Sequence, residues 1–141
     1  MHALLVQELE VLIRKNFDER TLLLFADVPG ASSDSKPPQL YGFVPDVYVA
    51  RPRYIIGEAK TMKDLDTRHS QDQIASFLRY LTTQENGLFI LAVPLHAWNY
   101  GKSVIRHLKS KTEAREVQTL CIYGGYSSSS SGSRLDSELL A

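Results

Sequence analysis

Two carboxylates and one amine, Asp46, Glu58 and Lys60, are the side chains whose types and spacing suit metal-assisted chemistry. They lie in two β-rich runs on either side of Ala50 to Arg53, a segment whose proline and arginines suit a turn better than a central strand. The pattern predicts an antiparallel hairpin, and with the turn centred near Arg51 and Pro52, Asp46 stands opposite Glu58. Directly opposed residues have Cβ atoms about 4.5–5.5 Å apart, where like charges are destabilising unless something offsets them. A divalent cation offsets them, and hard carboxylate oxygens suit Mg²⁺ or Mn²⁺. Lys60, two residues beyond Glu58, falls on the same face by strand alternation.

A solvated hairpin face carrying acids and a lysine is the plainer reading, and such pairs are worth only about 0–1 kcal/mol. The apolar neighbours weigh against it. Val47, Val49, Ile55 and Ala59 fill the opposite face, while Val44, Tyr48 and Ile56 share the face of the charges. A hairpin apolar on both faces belongs inside a sheet, where charged groups rarely sit without a task.

The elements that must position these residues follow from periodicity. Leu5, Leu9, Leu12 and Ile13 predict an amphipathic helix over residues 3–16. Thr21 to Ala26 reads as a first strand, with a buried helical turn as the alternative, and the Pro, Gly, Ser and Asp residues from Val28 to Gln39 as a loop leading into the strand of Asp46. Thr61 to Arg68 looks irregular. A helix is expected from Ser70, with Ile74, Phe77, Leu78 and Leu81 inward and Asn86-Gly87 as the stop. Leu88 to Val93 predicts a strand beside the hairpin, Tyr100 to Lys111 a helix with Val104, Ile105 and Leu108 inward, and Val117 to Tyr123 a last strand. Lys102, Arg106 and Lys109 fall on one outer face of that helix, suited to phosphate contact or simply to solvent.

Pro45-Asp46, eleven intervening residues, then Glu58-Ala59-Lys60 resembles the PD-(D/E)xK nuclease superfamily, which includes restriction endonucleases and archaeal-type Holliday junction resolvases. The order helix, three strands, helix, strand, helix, strand is similar to that superfamily's core across residues 3–123. The resemblance implies an α/β, restriction endonuclease-like fold with a central mixed sheet flanked by helices. It also implies Mg²⁺- or Mn²⁺-dependent hydrolysis of DNA phosphodiesters, as an endonuclease or exonuclease. Asp46, Glu58 and the Ala59 carbonyl would hold the metal, and Lys60 would orient or help deprotonate the attacking water. The first helix of the superfamily often lends an acid, for which Glu8 is better placed than Glu10; a solvated helix carboxylate is the competing reading. A glutamine on the helix after the ExK strand points to Gln73, although Ser70-x-x-Gln73 also matches a capping box. The tyrosine that some branches carry four residues on is replaced here by Phe77.

Other classes remain open on sequence alone: a catalytically inactive nuclease-like subunit for nucleic-acid binding or assembly, or a phosphodiesterase of small nucleotides. Sixteen basic and sixteen acidic residues balance, so no global charge pulls toward nucleic acid. A chain of 141 residues is most simply one domain, here 1–125, followed by a serine-rich tail over 126–141 that reads as flexible. Little is left for target recognition, which implies a homodimer or a partner protein. The lone Cys121 and the lack of a secretory pattern or of an apolar span of about 18–20 residues imply a soluble, cytoplasmic protein. His69 beside Arg68 suits phosphate contact, while His2, His96 and His107 show no metal-ligand spacing.

Overall fold

The computed structural model describes residues 1–27 and 35–124. Part of the loop expected over 28–39, and the whole tail over 126–141, therefore lie outside the described residues. Helix α1 spans His2–Asn16, strand β1 Leu23–Ala26, β2 Val47–Arg51 and β3 Ile55–Ala59. A single turn α2 (Met62–Leu65) leads to α3 (Arg68–Thr82), then β4 (Leu88–Pro94), α4 (Trp98–Lys111) and β5 (Gln118–Gly124).

The strands form one five-stranded mixed sheet in sequential order, β1-β2-β3-β4-β5. The first two pairings are antiparallel and the last two parallel. Two successive crossovers stepping the same way along a sheet must pass over the same face, because such connections share one hand. Accordingly α3 and α4 pack together on one face with Tyr48, Ile56, Phe89, Leu91 and Val93. The opposite face, carrying Val47, Val49, Ile55, Ala59 and Ile90, is covered by Leu5, Leu9, Leu12 and Ile13 of α1. Every residue of β3 and β4 is buried, as expected of strands covered on both faces.

Close approach of α1 to β3 depends on Gly57. A Cβ there would fall 2.5 Å from Leu9 Cδ2 and 3.1 Å from its Cγ, and Leu9 is fully enclosed. Gly57→Ala is expected to destabilise the fold by about 1–3 kcal/mol, read as a lowered melting midpoint, because Leu9 has nowhere to move.

Several boundaries differ from expectation. Helix α3 begins at Arg68 rather than Ser70 because Thr67 caps it, its hydroxyl accepting the Ser70 N–H at 3.1 Å. It ends at Thr82, with Thr83 as its cap, so Asn86 lies in the turn that enters β4 and not at the helix stop. The stretch after Lys60 is not irregular throughout, since Thr61 caps the turn α2. Val44 does not share the buried face; the strand begins only at Val47, and Val44 is 40% exposed. No helix among the described residues is long and apolar enough to cross a membrane.

Candidate functional site

The hairpin register pairs Val47 with Gly57, Tyr48 with Ile56 and Val49 with Ile55. Continued by one residue, it sets Asp46 opposite Glu58 at the edge of the sheet where parallel strands β3, β4 and β5 end. That carboxyl edge is where open α/β sheets characteristically bind ligands.

Each acid is fixed by the backbone of the other strand. The Asp46 N–H donates to Glu58 Oε1 at 2.8 Å, and the Ala59 N–H donates to Asp46 Oδ2 at 2.8 Å. Asp46 Oδ1 has no hydrogen-bond partner among the described residues. Glu58 is 1% exposed, and its second oxygen faces Lys60 Nζ at 3.6 Å. Burial, reinforced by the neighbouring Asp46 charge, raises the Glu58 pKa well above the usual carboxylate range; Lys60 and the Asp46 N–H oppose that shift. Two acids are thus held together where their joint ionisation is costly.

Gln73 belongs to the same cluster. Lys60 Nζ donates to Gln73 Oε1 at 2.5 Å, from a helix whose N-cap is Thr67. The capping-box reading of Ser70 and Gln73 therefore fails: Ser70 is already inside α3, and the Gln73 carbonyl oxygen is engaged with the lysine.

Glu8 takes a different place. Its carboxylate lies directly over Gly124 at the end of β5, in the space a Cβ there would need. Among the described residues Glu8 does not join Asp46 and Glu58 in a group of three carboxylates able to hold a cation. The α1 residue that does reach the pair is His2, whose Nε2 lies 3.2 Å from Asp46 Oδ2. Sequence spacing gave no sign of it, because the contact spans 44 positions and depends on how α1 lies across the sheet.

Arg68 and His69 stand at the start of α3 without converging on the carboxylates. The Arg68 side chain is 94% exposed and lies 3.8 Å from Asp72, while the His69 ring meets the edge of Phe43 at 5.7 Å. Phe77, at the position where a tyrosine would stand, is fully buried against Phe43 and the core. Cys121 is a structural thiol, its pKa pushed up to about 12 by burial.

Among the described residues no group of three or more His, Cys, Asp and Glu side chains is arranged to hold a metal ion. The donor set open to a cation is therefore Asp46, Glu58, backbone carbonyl such as that of Ala59, and water. That set fits a hard divalent ion, because Mg²⁺ typically takes one or two carboxylates and keeps several waters. The buried, mutually repelling acids supply the electrostatic reason for one to bind.

No protein-family model, curated protein or solved structure matches this chain.

Proposed function

We propose that the protein is a Mg²⁺- or Mn²⁺-dependent nuclease of the PD-(D/E)xK type, with a restriction endonuclease-like core, that hydrolyses phosphodiester bonds in DNA. The observation that carries this reading is the convergence of Asp46, the enclosed Glu58 and Lys60 at the carboxyl edge of the sheet.

Asp46, Glu58 and the Ala59 carbonyl would hold the divalent ion, which when bound would lower the pKa of water and neutralise charge on the scissile phosphate. Lys60 supplies a compact positive charge beside the carboxylates. An ammonium has three N–H donors; Gln73 takes one and Glu58 Oε2 lies near a second, which leaves a third for a phosphoryl oxygen. That donor stabilises negative charge as it develops and orients the attacking water. Gln73 positions Lys60 rather than touching substrate. The Ala59 N–H and the Asp46 N–H keep both carboxylates from turning away.

Gln73→Ala frees the ammonium to rotate, so kcat should fall about ten- to a hundred-fold, as for other residues that orient a catalytic group. KM for DNA should change little, and steady-state kinetics separates the two. A plain surface glutamine would leave both constants unmoved.

The function itself is tested by incubating the full chain with plasmid, branched, single-stranded and cyclic-dinucleotide substrates in Mg²⁺, Mn²⁺ or EDTA. Cleavage of DNA that requires the metal is expected. Cleavage of the dinucleotide alone would shift the assignment to a small-nucleotide phosphodiesterase, and no metal-dependent product on any substrate would reject the nuclease.

A further inference from the structure

Although the whole chain is electrically balanced, α4 is not: its fourteen residues include Lys102, Arg106, Lys109 and Lys111 and no acid. On the other long helices Arg14 and Arg68 each have a carboxylate one turn away, Glu10 and Asp72, and of their arginines only Arg79 of α3 has none at that spacing. Lys102, Arg106 and Lys109 form no ion pair among the described residues. These three cations line one wall of a groove of about 450 Å³, whose other wall is Thr119, Leu120 and Cys121 of the edge strand β5.

The groove begins at the edge of the sheet that carries the carboxylates. Helix α4 starts just past the carboxyl end of β4, and its first turn is tied to the segment before α3 by a hydrogen bond from Tyr100 to Asp66 at 2.9 Å. From Trp98 it runs back along β5, away from Asp46 and Glu58.

We infer that this groove is a track for the phosphodiester backbone of a nucleic acid, holding substrate on one side of the catalytic edge. The choice of nucleic acid among polyanions rests on the nuclease reading. Charge favours a polyanion over a second copy of this chain, whose own α4 would bring like charges together. Strand addition to β5 is also impeded, because the Trp98 indole N–H already donates to the Cys121 carbonyl at 2.7 Å in the middle of the edge strand. Lys102 sits 3.6 Å above the same indole, which fixes its charge at the mouth of the groove. Residues 102 to 109 cover about 10 Å of helix axis, the length occupied by about three phosphates along one strand of a duplex.

The test is binding of fluorescent duplex and single-stranded oligonucleotides to the full chain by anisotropy, across a series of KCl concentrations in EDTA. Each phosphate neutralised contributes about 0.9 to the slope of log K against log salt for duplex and about 0.7 for single strands. The triple variant Lys102→Ala, Arg106→Ala, Lys109→Ala should lose about 2–3 units of slope, flatten binding for every sequence and keep its circular dichroism melt. Lys102→Arg, Arg106→Lys, Lys109→Arg should keep the slope. An unchanged slope in the alanine variant overturns the inference, as does loss of polyglutamate binding with DNA binding retained, which would assign the groove to an acidic protein. Because EDTA removes hydrolysis, an inactive nuclease site leaves this readout intact.

Discussion

Asp46→Asn should bring metal-dependent DNA hydrolysis down by at least about three orders of magnitude, the equivalent of about 4 kcal/mol of transition-state stabilisation. The amide keeps an oxygen to accept the Ala59 N–H that Asp46 Oδ2 accepts at 2.8 Å, so the hairpin end stays joined. What is lost is one of the two negative charges that bind the cation. Asp46→Ala should be as inactive, with an additional cost of about 1–3 kcal/mol for the amide left without its acceptor. Initial rates and melting curves in EDTA separate the two effects. Either variant cleaving at the wild-type rate would remove Asp46 from the chemistry.

The second large effect concerns stability and pH, and it comes from Glu58. Burial first, and the charge of Asp46 second, raise its folded pKa above that of the unfolded chain. Its stabilising contribution is therefore complete below the unfolded carboxylate pKa and is lost as pH rises through the folded value. In EDTA the wild-type protein should lose stability with rising pH over that window, by at most about 1.4 kcal/mol per pH unit from this group. Glu58→Gln should abolish that slope and be the more stable protein on the alkaline side. A bound divalent ion reverses the sign, since it favours the ionised carboxylates and competes with the proton. At a cation concentration one hundred times Kd, linkage contributes about 2.7 kcal/mol, a rise on the order of 10 °C in melting midpoint for a domain of this size. Denaturant titrations at stepped pH, with Mn²⁺ and with EDTA, check both signs. A Glu58→Gln protein with the same pH slope as wild type would show that Glu58 is not the group responsible.

The heart of the site was legible in the sequence because a tight turn dictates the register of an antiparallel pair. The turn expected over Ala50 to Arg53 falls slightly later, at residues 52–54, because Ala50 and Arg51 still belong to β2, but its centre near Pro52 forces Asp46 opposite Glu58 and puts Val47, Val49 and Ile55 on the other face. Gln73 was legible only in part: two threonine caps, Thr61 and Thr67, compete with Ser70 for the helix start, and single-sequence rules do not rank them. Periodicity gives the angle of Glu8 around the axis of α1 but not where that axis crosses the sheet. The crossing is set by packing of Leu5, Leu9 and Ile13 and by the missing side chain of Gly57, and it carries Glu8 to β5 and His2 to Asp46. The basic row on α4 was legible from helical spacing, whereas net charge gave no sign of it because the acids that balance it lie on other elements.

Binding of Mn²⁺ measured directly, by calorimetry or by loss of the free-ion electron spin resonance signal, bears most immediately on whether Asp46 and Glu58 form a metal centre. Wild-type protein should bind the ion saturably, more tightly as pH rises, and both Asp46→Asn and Glu58→Gln should lose that binding while remaining folded. No saturable binding by the wild-type protein, or binding indifferent to both substitutions, would contradict a metal centre at this edge of the sheet.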